Sequence, residues 1–201
     1  MAKPKPALLG ALKPYASITD HPRAVIDGRV ASATFRKERY LDKLADDPAA
    51  LAVLNDLVHV DFSGTRCDGT EAALWQKLHM VRGRCLEGVH AWCFVDHATG
   101  PWLERITEMR NFGFNSSGDT AVATAMLATL RRKLPALEVL ECCGIPARDA
   151  EILDDVFAGA STRVICELRF REVPSRPLAI EVRQPDALDR SWLDRMLAAP
   201  T

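Results

Sequence analysis

Residues 109–142 read MRNFGFNSSGDTAVATAMLATLRRKLPALEVLEC, and three signals in this stretch decide the architecture. Met109 to Phe114 is short, apolar at intervals and followed by the loop-forming Asn115-Ser116-Ser117-Gly118, which predicts a strand. Asp119 to Leu134 places Val122, Met126, Leu127 and Leu130 at spacings of three and four behind an Asp N-cap, which predicts a helix that Pro135 stops. Leu137 to Cys142 is a second strand candidate. A strand, a crossover helix and another strand predict a parallel pair.

The alternation continues in both directions. Toward the C-terminus come a helix over Arg148–Phe157 ending at Gly159, a strand over Arg163–Phe170 and a last strand over Leu178–Val182. Ala187–Leu197 follows as a short amphipathic helix bearing Leu188, Trp192, Leu193 and Met196. Toward the N-terminus, Val89–Val95 reads as a strand, and Gly100-Pro101 starts a helical turn through Ile106. Thr70–Met80 reads as a helix with Leu74, Trp75 and Leu78 on one face, and Leu57–Phe62 as a strand closed by Ser63-Gly64. Arg36–Leu54 divides at Pro48 into two short helices, and Ala24–Phe35 forms a hairpin about Asp27-Gly28. Residues 1–23, with Pro4, Pro6, Pro14 and Pro22, form an extended arm. The expected fold class is therefore α/β, with repeated β-α units and a mostly parallel sheet in one domain over 24–201. Within it, 57–173 is the repeat-like core and 174–201 a C-terminal cap.

Composition narrows the functional classes. At 201 residues and 48% hydrophobic, the chain suits one core of ordinary size. Lys+Arg 26 against Asp+Glu 27 leaves a formal charge of -1, which offers no global field for nucleic acid or an anionic membrane. No stretch reaches the ~20 apolar residues of a membrane span, and the N-terminal apolar run is broken by Gly10, so a cytoplasmic chain is expected. Six cysteines without an export signal imply reduced thiols. With no C-x-x-C pair and no H-x-x-x-H spacing, neither metal nor cofactor is expected. The Ala, Arg, Asp and Leu content suits a bacterial source.

Several strand candidates share a template in which an apolar residue is followed by another three and five positions on. Leu57, Val60 and Phe62 fit it, as do Val89, Trp92 and Phe94; Met109, Phe112 and Phe114; Leu137, Leu140 and Cys142; and Ile165, Leu168 and Phe170. This is the L-x-x-L-x-L core of leucine-rich repeats, which the chain resembles over about residues 57–173. The Asn or Cys that follows the core in that family is replaced here by Thr65, Ser117, Ile145 and Val173. The resemblance implies a short solenoid whose strands present a concave face to a protein partner. That face would carry His59, Asp61 and Ser63; His90, Ala91, Cys93 and Val95; Asn111, Gly113 and Asn115; Val139, Glu141 and Cys143; and Glu167, Arg169 and Arg171. An ordinary doubly wound sheet has the same β-α alternation, with both faces covered.

Catalytic readings stand beside this one. Cys142-Cys143-Gly144 closes a strand before a helix, where a thiolate nucleophile can sit, with His59 or His97 as its base. Asp61 and the Asp96-His97 dipeptide could form an acid/base pair, whereas a loop acid more commonly caps a backbone amide. Gly113–Asp119 resembles an anion cradle but lacks the Lys of a P-loop. Arg131-Arg132-Lys133, with Arg82 and Arg84, is locally basic without the interleaved aromatics of a single-strand binder. Val60-Asp61-Phe62-Ser63-Gly64 resembles the strand-to-helix loop of STAS-type regulatory domains, which would make Ser63 a modification site. The leading expectation is a non-catalytic module, of an adaptor, inhibitor or immunity type, that binds a protein. The residues expected to contact the partner are His59, Asp61, Asn111, Asn115, Glu141, Glu167, Arg169 and Arg171.

Overall fold

The computed structural model describes residues 11–12, 14–17, 25–26, 29–30, 32–35, 41–62, 72–169 and 172–184. Short strands alternate with helices. In chain order these are β1 (Ala16–Ser17), β2 (Val25–Ile26), β3 (Arg29–Val30), β4 (Ser32–Phe35), α1 (Leu41–Ala45), α2 (Pro48–Asn55) and β5 (His59–Asp61). Then follow α3 (Ala72–Lys77), β6 (Cys85–Glu87), α4 (Ala91–His97), a 3-10 turn (Pro101–Arg105), β7 (Glu108–Arg110) and α5 (Thr120–Lys133). The series ends with β8 (Val139–Ile145), α6 (Ala147–Phe157), β9 (Arg163–Leu168) and β10 (Glu181–Arg183). The α/β fold with repeated β-α units and a largely parallel sheet is thus as the sequence predicts.

Sheet order follows chain order. Strands β4 to β10 pair in parallel, each with the next, and β1 adds antiparallel to the outer edge of β4. β2 and β3 form the separate hairpin expected about Asp27-Gly28. Parallel crossovers share one hand, so when strands are laid down in sequence their crossovers fall on one side of the sheet. The helices obey this rule: α3 packs on α4, α4 on α5 and α5 on α6, forming a single layer.

The core lies between that layer and the sheet. One residue per strand, in lateral register, points into it: Val60, Leu86, Met109, Leu140 and Val164 are each 0–2% exposed. From the helix side, Leu74, Phe94, Leu127, Leu130 and Leu153 meet this row. An edge-to-face aromatic series runs through it, with ring centroids 5.0 Å apart for Phe62–Trp75, 5.1 Å for Trp75–Phe94 and 6.5 Å for Phe94–Trp102.

Helix ends are closed by specific side chains. Asp47 accepts from the amides of Ala49 and Ala50 ahead of Pro48, where one helix ends and the next begins as expected. Asp119 Oδ1 accepts from Val122 N. Lys133 donates to the carbonyls of Val95 and Ala98 at 2.6 and 2.7 Å and so closes the C-terminal end of α4. α6 begins after Pro146 with no local side-chain cap, and Glu172 from beyond β9 accepts its Ala147 amide instead. Residues 172–180 form a strap across α6. Asp154 accepts from Ala179 N, Ile180 N and Arg176, and Glu151 accepts from Ser175 N. In the segment expected as a loose arm, Leu12 is buried and the Tyr15 hydroxyl donates to Asp47.

Two sequence expectations are corrected. Val89–Val95 is not a strand. From Ala91 on, the buried residues are Ala91, Phe94 and Val95, followed by Ala98 just past the helix, and their spacing of three, four and seven is helical, so packing on the helix layer overrides the β propensity of Val, Trp and Phe. The strand at this point is Cys85–Glu87, in which only Leu86 is apolar and turned inward. The repeat frame also changes. The inward row Val60, Leu86, Met109, Leu140, Val164 has spacings of 26, 23, 31 and 24 residues, so Met109, Leu137 and Ile165, which begin their template copies at numbers 109, 137 and 165, are not equivalent positions. Met109 is equivalent to Leu140 because the chain leaves the sheet at Asn111, whose φ is +47°, and Phe112 and Phe114 are buried from the loop. Strand β9 hides its alternation because Val164, Ile165 and Cys166 are all buried. The terminal helix over 187–197, Ser63, Phe170 and Arg171 lie outside the described residues.

Candidate functional site

Strand side chains alternate between faces, so the residues flanking the inward row stand on the side of the sheet away from the helices. On β5 these are His59 and Asp61; on β6, Cys85 and Glu87; on β7, Glu108 and Arg110; on β8, Val139, Glu141 and Cys143. Arg163, Ile165 and Glu167 follow on β9, and Glu181 and Arg183 on β10. Registers place His59, Cys85, Glu108, Val139 and Arg163 side by side, and likewise Asp61 with Glu87 and Arg110.

Polar contacts and lateral ion pairs link the strands. His59 Nε2 lies 3.2 Å from Glu87 Oε2. Arg110 reaches Glu108 at 2.7 Å on its own strand and Glu141 at 3.4 Å on the next. Glu141 is also 3.7 Å from Arg183, which pairs with Glu181 at 2.7 Å, and Glu181 takes Arg163 from the other side at 2.5 Å. Arg110, Glu141 and Glu87 keep only 28%, 24% and 31% of their side-chain surface exposed. These are ordered side chains lying along the sheet.

Burial, and after it the same carboxylates, raise the thiols on this face. Desolvation, Glu108 and Glu87 push Cys85 up to about 12, against a smaller opposing effect of Arg110. Desolvation, Glu167, Glu141 and Glu87 push Cys143 up to about 12. A thiol in this condition is almost wholly protonated at neutral pH and is a poor nucleophile. Iodoacetamide at pH 7 is expected to alkylate Cys85 and Cys143 about a thousandfold more slowly than free cysteine, as followed by mass spectrometry of the native protein. A rate equal to that of free cysteine would contradict this electrostatic account.

The residues proposed for catalysis are not brought together. Cys142 is fully buried on the helix side, hydrogen-bonded to its register partner Cys166, and its thiol is held well above the usual value by that bond and by burial. Cys143 points to the opposite face, and Asp61 stands on β5, three strands away from it. His97 ends α4 in the helix layer. The Gly113–Asp119 loop uses its own donors: Asn115 accepts from Ser117 N, the buried Asp149 accepts from Ser116 N, and Asp119 caps α5.

Of the expected partner-binding residues, His59, Asp61, Glu141 and Glu167 stand on the face away from the described helices, His59 itself being buried. Asn111 and Asn115 belong instead to the loop after β7, where Trp92 Nε1 donates to the Asn115 carbonyl. Arg169 sits just past β9 and donates to the Gly144 carbonyl, while Gly144 takes the positive φ of +63° that the β8 bulge requires. His90, Ala91, Cys93 and Val95 leave the expected face because they cap or form α4. Sequence reasoning missed Cys85, Glu87, Glu108, Arg110, Arg163, Glu181 and Arg183. For β6 the available signal was a single apolar Leu86 between Gly83 and Gly88, 26 residues after Val60.

Among the described residues no helix is long and apolar enough to cross a membrane, and no three metal-ligating side chains cluster. Comparison with known families, curated proteins and solved structures finds no match.

Proposed function

We propose that this chain is a non-catalytic protein-binding module, of the adaptor, inhibitor or immunity type, whose working surface is the open face of strands β5 to β9. The observation that carries the reading is the sequential strand order with one helix layer. Among the described residues this arrangement puts no helix on the other face of the parallel sheet, although parallel sheets are ordinarily covered on both sides. A row of strands with returning helices on one side is the arrangement in which leucine-rich-repeat solenoids bind partners, and the 23- to 31-residue spacing of the units is close to that family's period. The face is polar and already braced by lateral ion pairs, so less side-chain entropy is lost when a partner docks. A thiol-dependent activity is disfavoured by the raised pKa of Cys143 and by the placement of Cys142, His97 and Asp61 on a different face, in the helix layer and three strands away.

The test is capture of a partner from the native source on the tagged chain, with Glu141→Arg plus Arg169→Glu as comparison. The expected result is one stoichiometric partner whose affinity falls at least a hundredfold in the variant, while the circular dichroism and melting temperature hold. Equal capture by both proteins would remove the open face from the account.

A further inference from the structure

Cys142 on β8 and Cys166 on β9 are register partners of two parallel strands, both free thiols and both 0% exposed on the helix side of the sheet. Neighbouring strands lie about 4.8 Å apart, inside the range of ~4.4–6.8 Å between Cα atoms that a disulfide spans. The two thiols are already hydrogen-bonded to each other, so their sulfurs meet. No other two cysteines among the described residues are register partners. Cys85 and Cys143 stand on the opposite face of the sheet, and Cys93 lies on α4.

The pair lies one strand from the edge of the sheet. On its other side Cys166 has Val182 of β10 as register partner, and β10 is the last described strand, three residues long, with Val182 only partly buried. The strap that leads into β10 is held by Asp154, which accepts from Arg176 and from the amides of Ala179 and Ile180. A short outer strand opens more readily than strands inside a sheet, and its opening uncovers the flank of Cys166, whereas Cys142 stays covered on that side by Cys166 itself.

We propose that Cys142 and Cys166 are a redox-sensitive staple, which a peroxide closes through Cys166 into a disulfide that locks β9 to β8. In the first step the Cys166 thiolate attacks hydrogen peroxide. An S–O bond forms, the O–O bond breaks, and the hydroxide released takes up the proton that the thiol gave up and leaves as water. In the second step the Cys142 sulfur attacks the sulfenic acid, the S–S bond forms as the S–O bond breaks, and the departing oxygen carries off the Cys142 proton as a second water. Each sulfur is oxidised by one electron, and one peroxide is reduced to two waters. The bond to Cys166 and burial hold the Cys142 thiol well above its usual value, so it keeps its proton until an oxidised sulfur stands in contact with it.

The test treats the native full chain with about tenfold excess hydrogen peroxide at about pH 8, alkylates the remaining thiols in denaturant and maps the unreduced peptides by mass spectrometry. The expected product is a peptide pair joined from Cys142 to Cys166 and separated again by dithiothreitol. Hydrogen exchange over β9 should be at least about tenfold slower in the oxidised chain. In Cys142→Ser, Cys166 should instead carry a sulfenic acid that dimedone traps. Asp154→Asn, which loosens β10, should close the staple at least about threefold faster. Three results overturn the proposal: Cys142 and Cys166 both still alkylated while Cys143 is oxidised, a link that forms only in denaturant, or exchange over β9 that the link leaves unchanged.

Discussion

Phe94→Ala is expected to lower the free energy of unfolding by about 3–5 kcal/mol. The ring is fully buried on α4, meets Trp75 on one side and Trp102 on the other, and is the link through which α3, α4 and the 3-10 turn share one aromatic series. Removing it leaves a cavity that two indoles cannot fill without leaving their own partners, since Trp102 Nε1 is tied to the Thr99 carbonyl. Urea melts followed by tryptophan fluorescence and by far-UV circular dichroism would measure the loss. Phe94→Leu, which keeps most of the volume, should cost less than half as much. A change below about 1 kcal/mol for Phe94→Ala would show that the helix layer is not packed as described.

Asp154→Asn is expected to cost about 2–4 kcal/mol and to release β10 ahead of the rest of the sheet. The Asp154 carboxylate, almost fully buried, accepts from two backbone amides and from Arg176, so the amide variant loses the charge that Arg176 needs and one of its acceptors. Hydrogen exchange should accelerate over 179–183 while β5 to β8 keep their protection. The same group sets an acid limit. Burial raises the Asp154 pKa, but the bonds from Arg176, Ala179 and Ile180 outweigh it and hold it below the usual 3.8; Glu151, bonded by Ser175 N, and Glu181, bonded by Arg163 and Arg183, are likewise held below 4.5. A carboxylate whose folded pKa is depressed contributes stability that is present above its unfolded pKa and is lost as pH falls through the folded value. The melting temperature should therefore be insensitive to these groups above about pH 5 and fall below about pH 4, with a weaker acid dependence in Asp154→Asn.

The legibility of this fold in its sequence follows the physics of each element. Asp119–Leu134 and the break at Pro48 could be read because caps and proline act locally, and those residues do in the structure what their chemistry requires. Leu57–Phe62 and Leu137–Cys142 could be read because one strand face is apolar and the other polar. Cys85–Glu87 could not, since a strand of three residues with a single inward Leu86 carries no periodicity. The heptapeptide from Val89 was misread because its composition favours a strand while its burial follows a helical period. The open face was legible only in part for the same reason: His59, Asp61, Glu141 and Glu167 lie on strands whose frame was clear. Glu87, Glu108 and Arg110 lie on strands identified only once the sheet register placed them beside those residues.

The central claim is that the sheet face turned away from the helices is where a partner sits, and carboxylate footprinting tests it most directly. The chain is labelled with a carbodiimide and glycine ethyl ester, alone and in complex with the partner captured from its native source, and each site is quantified by mass spectrometry. The account predicts that labelling of Glu87, Glu108 and Glu141 falls severalfold in the complex while Glu104 and Glu138, away from that face, label as before. Protection of Glu104 and Glu138 with unchanged labelling of Glu87, Glu108 and Glu141 would contradict it.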